Sequence, residues 1–328
     1  TTSKGVLRST DNGQSWFEAN NGLSGLDSSL NIISLGVSGN NLIAGVLYGD
    51  LFISTDEGQS WTNAHNRLST FSPGFSVLAV SGNNIFAGGE AGFVIFSSDN
   101  GRNWTVVSDQ PLLSLVESGG NLFAGNSRGV FLSTDNGRTW TESGFGIINF
   151  FVDALVVHET KLFVGTLGRG LFLSDDNGES WTKIGSGLTS SVTGLAVKGS
   201  NLFAGTFNRG IFLSTDGGLN WSPVNNGLTN QFINVLSVKD DTIFAGTGGG
   251  VFRSTNNGQS WVPINNGLLI TGIRSLAIGE THIFAGINGA GIFSSNDNGQ
   301  NWTSVNNGPT GLSNGQLLAT GNILYAIT

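Results

Sequence analysis

The chain of 328 residues has no cysteine and no methionine, and only three histidines, two tyrosines and five prolines. Without cysteine, disulfides, thiol catalysis and Cys-based zinc sites are excluded. His65, His158 and His282 are scattered and match neither HExxH nor a paired-His spacing, so neither a metal site nor a cofactor is expected. Charge is sparse as well: 14 Lys plus Arg face 22 Asp plus Glu, a formal net charge of −8. Nucleic acid and anionic membranes both demand clustered positive charge, so neither is an expected partner. No apolar run approaches a membrane span, and no stretch carries helical periodicity. A signal-peptide pattern is also missing, and position 1 is Thr, which suggests a processed or excerpted segment. Abundant Gly, Asn, Ser and Thr without Cys suit an extracellular or cell-surface bacterial protein that folds without disulfides.

What is present is repetition. The eight tryptophans, Trp16, Trp61, Trp104, Trp140, Trp181, Trp221, Trp261 and Trp302, each end a copy of Ser-x-Asp-x-Gly-x-Ser/Thr/Asn-Trp. The Asp of the copies is Asp11, Asp56, Asp99, Asp135, Asp176, Asp216 and Asp297, with Asn256 in the remaining one. The period is about 41 residues, a length typical of propellers and solenoids. Within each period four short apolar runs, such as "VTGLAVKG", "NLFAGT", "GIFLSTD" and "NWSPV", are rich in β-branched and aromatic residues and bounded by Gly, Asn, Asp and Ser. That is the strand-and-turn signature, and four strands per unit make a propeller blade.

The chain ends decide closure. Residues 4 to 20 supply only a third and fourth strand, whereas 315 to 328 supply only a first and second. We therefore expect an all-β fold: one eight-bladed β-propeller domain spanning 1–328, with four antiparallel strands per blade. A clasp of 1–22 with 312–328 completes the ring and removes open sheet edges.

The repeated turn resembles the Asp-box, or BNR, repeat of sialidases, sortilin-like ectodomains, xyloglucanases and secreted bacterial repeat proteins. The resemblance covers essentially the whole chain. It implies that the box Asp and Trp residues are structural and lie at the blade periphery, away from the ligand face. It does not carry the sialidase activity with it. That activity uses an arginine triad, a Tyr nucleophile assisted by Glu and an Arg-Ile-Pro motif, and this chain lacks Arg-Ile-Pro and has only Tyr48 and Tyr325, the latter at a core strand position.

On the opposite, ligand face the acids Asp27, Asp50, Glu90, Asp109 and Asp153 fall on different loops with no shared motif, whereas glycoside hydrolysis needs two carboxyls at a defined separation. Two other groups depart from the repeat. Arg128, Arg169 and Arg209 precede the Gly that opens the third strand in three consecutive blades, with Lys4 at the equivalent place in the clasp, where other blades carry Gly49, Gly92, Gly249 and Ala290. Phe71, Phe75, Phe145, Phe150, Phe151, Phe207 and Phe232 fall in or beside loops. Lys4, Arg128, Arg169, Arg209, Phe207 and Phe232 are the candidate ligand residues. Guanidinium groups match carboxylate or sulfate, and exposed aromatics stack on sugars or anchor proteins. The expected function is a non-catalytic extracellular module for binding, adhesion or structure, with an acidic glycan or a protein surface as partner. The alternative is a glycoside hydrolase or lyase with its acids in variable loops.

Overall fold

The computed structural model describes residues 5–23, 32–46, 50–64, 75–81, 83–89, 94–108, 112–144, 146–147, 150–185, 188, 190–268, 272–287, 289–306, 317–320 and 323–327; the side chains of Ser81, Ser108 and Asp153 lie outside this description. Lys4, Asp27, Tyr48, Gly49, His65, Phe71, Glu90, Gly92, Asp109 and Phe145 also lie outside it. The described strands form eight four-stranded antiparallel sheets, with no helix among the described residues. Seven are built from consecutive strands: blade 1 (32–63), blade 2 (77–108), blade 3 (114–142), blade 4 (152–184), blade 5 (192–223), blade 6 (233–263) and blade 7 (273–304).

Blade 5 shows why these residues make this unit. Val192–Lys198, Asn201–Thr206, Ile211–Ser214 and Ser222–Pro223 pair in order, with Leu202 opposite Ser214 and Ala204 opposite Phe212. Residues 202–206 of the second strand are buried on both faces, because blades pack on either side of it. The small residues there are a spacing device: a Cβ on Gly205 would lie 2.6 Å from Cγ2 of Ile233 in blade 6. The fourth strand is two exposed residues long, a short edge that offers little to an intruding strand. At the start of the first strand an extra residue bulges between Val192 and Gly194, and the Thr193 hydroxyl donates to the Ile233 carbonyl of the next blade at 2.6 Å.

The eighth sheet joins the chain ends. Its order is Phe17–Glu18, Val6–Ser9, Ile323–Ile327, Leu317–Thr320, with Leu7 opposite Ala326 and Arg8 opposite Tyr325. First strands touch from blade to blade around the axis, and Leu317–Thr320 touches both Ile273–Ile278 of blade 7 and Ile32–Ser38 of blade 1. The ring is therefore closed by two strands from each terminus. Antiparallel order sends the first-to-second and third-to-fourth connections to one end of the ring, the box end. The second-to-third and blade-to-blade connections emerge at the other, the rim end. No helix among the described residues is long and apolar enough to cross a membrane.

Candidate functional site

At the box end, each repeated turn is a closed set of hydrogen bonds. In the clasp blade Ser9 Oγ accepts the Gly13 N–H at 2.7 Å and donates to Asp11 Oδ1 at 2.8 Å, while Oδ1 also accepts the Ser15 N–H at 2.8 Å. Asn12 and Gly13 between them have φ of 58° and 87°. Two successive left-handed residues are what a type I′ hairpin turn requires, and Asn-Gly adopts them at least cost. The same set recurs at Asp216, where Oδ1 takes the Asn220 N–H at 2.9 Å and Oδ2 the Asn220 side-chain amide at 2.7 Å.

These donors hold the carboxyls in the ionised form. The Ser60 and Thr139 hydroxyls lead in bringing Asp56 and Asp135 down to about 2, and the Asn220 and Asn301 N–H groups lead for Asp216 and Asp297, also to about 2. Asp11 is lowered, chiefly by Ser15. At Asp99 and Asp176 burial pushes upward, but bonds from Asn103 and Ser180 outweigh it. An acid so committed to its own turn is a poor proton donor near neutrality. Asn256 reproduces the geometry with its amide, accepting the Ser260 N–H at 3.0 Å and donating to Ser260 Oγ at 2.9 Å.

The tryptophans close the seams between blades. Indole N–H groups of Trp16, Trp61, Trp261 and Trp302 each donate at 2.7 Å to a carbonyl of the preceding blade, at Val305, Ala19, Val224 and Ile264. Trp104, Trp140 and Trp221 instead bond the glycine carbonyl of their own turn, at Gly101, Gly137 and Gly218, and Trp181 meets Ser143 Oγ at 3.4 Å. The four seams bridged from indole to carbonyl share a second motif that the sequence reading missed, Asn-Asn-Gly beginning four residues after the previous Trp: Asn20, Asn225, Asn265 and Asn306. The first Asn of each accepts the N–H that opens the third strand of its own blade, as Val251 N–H to Asn265 Oδ1 at 2.8 Å. At Gly22, Gly227 and Gly267 the motif's Gly presses on the next Trp: a Cβ on Gly267 would lie 2.1 Å from the Trp302 carbonyl oxygen. Regular spacing from Trp was the available signal.

The rim end is different. The hairpin loops of blades 4, 5 and 6 are tied there to the start of their own blades: Leu167 N–H bonds the Phe151 carbonyl, Phe207 that of Ser191 and Gly248 that of Phe232, all at 3.0 Å. The ties hold apolar side chains outward. Leu167 and Phe207 are each 56% exposed and Phe232 is 48% exposed, with Phe207 and Phe232 edge to face at 5.5 Å across the seam of blades 5 and 6. Two residues beyond Leu167 and Phe207 come Arg169 and Arg209, both exposed at the same loop position. The Arg169 guanidinium lies 5.2 Å over the Phe150 ring, which packs on Phe172 at 5.3 Å. The Arg209 loop is braced by Thr206 Oγ1 on its N–H and Asn225 Nδ2 on its carbonyl, both at 3.0 Å. Arg128, also exposed, sits on a loop one residue shorter.

Other expectations fare differently at this end. Phe75 is no loop aromatic: it is 1% exposed and fills a core with Ile43, Leu51, Ile85 and Ala87, at the position occupied by Val152, Val192, Ile233 and Ile273 in other blades. Leu167 is an exposed apolar residue the sequence reading did not single out. Of the expected acids only Asp50 has a described side chain, and it accepts the Asn63 amide at 2.7 Å. Tyr325 is buried at its expected core position. Of the two described histidines, His158 ends a strand, while His282 lies over Phe284, held below its usual range by burial and then by Lys239. No group of three or more His, Asp or Glu placed to hold a metal ion occurs among the described residues.

No protein-family model matches the chain, and no curated protein matches it. Solved structures do. The computationally designed Ika8 protein is 15% identical with a TM-score of 0.69, over 91% of this chain and 93% of that one. YCF48, solved bound to D1 peptide, is 15% identical with a TM-score of 0.59, over 79% and 91%. An ancestral GH74 enzyme is 16% identical with a TM-score of 0.58, over 97% of this chain and 54% of that one. The likeness is one of fold. Propellers of this kind serve both binding proteins and enzymes, so function has to be argued from the site.

Proposed function

We propose that the protein is a non-catalytic extracellular binding propeller of the Asp-box type. Its binding surface is the rim of blades 3 to 6, and its ligand is an acidic surface with apolar side chains. The observation that carries this reading is the placement of Leu167, Phe207 and Phe232 in the open beside Arg128, Arg169 and Arg209. Phe207 and Phe232 join across a seam, and exposed apolar groups that merge into a patch rimmed by polar residues mark interaction sites. Aromatics and Arg are also the residues enriched where protein interfaces concentrate their energy. Leu is no platform for a sugar ring, and all eight Trp are occupied in the repeat, so the chemistry favours a polypeptide over a glycan.

The test is titration of the protein with a Glu- and Leu-containing peptide, with polygalacturonate and with neutral dextran. The Arg128/Arg169/Arg209→Ala triple variant is titrated alongside. Peptide binding that weakens with salt and is lost in the triple variant is expected. Equal binding by both proteins, preference for dextran, or hydrolysis of either polysaccharide would overturn the reading.

A further inference from the structure

The box end of the same blades is the rim's complement. Leu219, in the turn of blade 5, is 62% exposed, more than any other large apolar side chain among the described residues. At the same end, on the turns of blades 4, 6 and 7, are Glu159, Asp175, Glu179, Asp240, Asp241 and Glu280, all exposed. The lysines at this end are drawn down onto the protein. Lys239 Nζ donates to the Gly279 and Glu280 carbonyls at 3.0 Å, and Lys198 Nζ bonds Asn257 Oδ1 at 2.7 Å and lies 3.7 Å from Asp241. One end of blades 4 to 6 thus presents apolar tips among arginines, and the other an apolar tip among carboxylates.

We propose that the partner of the rim is a second copy of this chain, docked head to tail, with the rim of one copy on the box end of the next. This rests on the reading of the rim as a surface for an acidic, apolar partner. The charges match: Arg169 and Arg209 meet carboxylates, and Arg forms paired bonds to carboxylate where the geometry allows. The apolar tips match too, since Phe207 and Leu167 would cover Leu219 and remove all three from water. Because the two patches lie on opposite ends, the contact is heterologous and leaves a free rim and a free box end on every assembly. Such a contact continues into a stack unless rotation closes it.

Sedimentation velocity on the whole chain, over a wide concentration range and at low and high salt, tests this. Wild type should show species that grow beyond a dimer with concentration and shrink as salt rises, because exposed charge pairs are screened over about 8 Å at physiological ionic strength. A rim variant, Arg169→Glu with Arg209→Glu, and a box-end variant, Asp240→Asn with Asp241→Asn, should each be monomeric. Each has its fold checked by its melting profile. Mixed in equal amounts, the two variants retain only one compatible pairing, the intact rim of one on the intact box end of the other, so the mixture should form dimers and nothing larger. Wild type that stays monomeric at the highest concentration in low salt overturns the inference. So does self-association that the mixture fails to restore, since the contact would then not join rim to box end. The two readings separate cleanly: a monomeric wild type that still binds the Glu- and Leu-containing peptide through its arginines keeps the rim as a binding surface and removes only the second copy as its partner.

Discussion

The smallest unit that carries the fold is one carboxylate. Asp56 accepts the Ser60 N–H at 2.8 Å and a bond from the Ser54 hydroxyl at 2.7 Å, and its outer oxygen takes the Ser60 hydroxyl. Asn256 shows that an amide can do the same when its partner is a hydroxyl, because Ser can reverse from donor to acceptor. Asp56→Asn should therefore leave the melting temperature near that of the parent, whereas Asp56→Ala, which strands the Ser60 N–H, should lower it measurably; equal losses in thermal melts would mean that charge rather than geometry matters. The pH dependence follows with a definite sign. The folded turn lowers the carboxyl pKa from 3.8 to about 2 at Asp56, Asp135, Asp216 and Asp297. The unfolded chain therefore binds more protons between those values, and stability that is complete above about pH 4 is lost as pH falls towards 2. These groups are largely solvent-exposed, so each contributes little; the expectation is a gradual fall in melting temperature across that window.

At the scale of the element, the seam between blades is where sequence differences have structural consequences. Gly267 has φ of 86° and sits against the Trp302 backbone, so Gly267→Ala combines a left-handed residue with a clash against a carbonyl that cannot move aside. The φ alone costs about 1–2 kcal/mol, and urea unfolding should show at least that loss. Trp302→Phe strands the Ile264 carbonyl in a buried seam and should cost about 1–3 kcal/mol beyond the loss of ring area. Trp104→Phe, whose bond stays within its own half-buried turn, should cost less. A reversed order in denaturant titrations would show that the cross-blade bonds are incidental. The blade was legible because the turn needs Ser, Asp, Gly and Trp at fixed positions, and fixed chemistry leaves a fixed pattern. The Asn-Asn-Gly motif was equally regular but occurs at only four seams, Trp16–Asn20, Trp221–Asn225, Trp261–Asn265 and Trp302–Asn306, and was hidden among Asn-rich loops. Phe75 and Phe207 show the limit at the rim. Both are phenylalanines near loop ends, yet one is a core residue and the other half in water, because the variable loop before the first strand of blade 2 blurs the alignment that would place Phe75 at its core position. The arginines were legible as a series, but their bracing by Thr206, Asn225 and Phe150 was not, since it joins residues from different loops.

At the scale of the whole molecule, stability depends on the one blade that the chain cannot build locally. The clasp unites residues more than 300 positions apart in sequence, Leu7 with Ala326 and Val6 with Ile327, and both its seams belong to the cross-blade class, through Trp16 to Val305 and Trp61 to Ala19. Its partnership with blade 1 has two further contacts. Arg8 pairs with Glu57 at 2.7 Å, and the Tyr325 hydroxyl donates to the Glu57 carbonyl at 3.1 Å. Glu57 itself has φ of 58°, where the other turns place Asn or Gly, so a residue poorly suited to the left-handed region stands at the closing seam with an ion pair beside it. With its carboxylate 60% exposed that pair is worth only about 0.2–1 kcal/mol. Closure therefore rests on the strands and the buried Tyr325 rather than on charge. Two outcomes follow. Arg8→Gln should shift the melting temperature slightly, and less still in high salt. Deleting 317–328 should do far more, because it removes the two inner strands of a blade, leaves Val6–Ser9 without its inner partner and uncovers the first strands of blades 1 and 7 at once. The deleted protein should lose the single cooperative transition of the parent and aggregate on heating, as exposed edges pair between molecules. A deleted chain that melts in one transition at the parental temperature would show that seven blades close without the clasp.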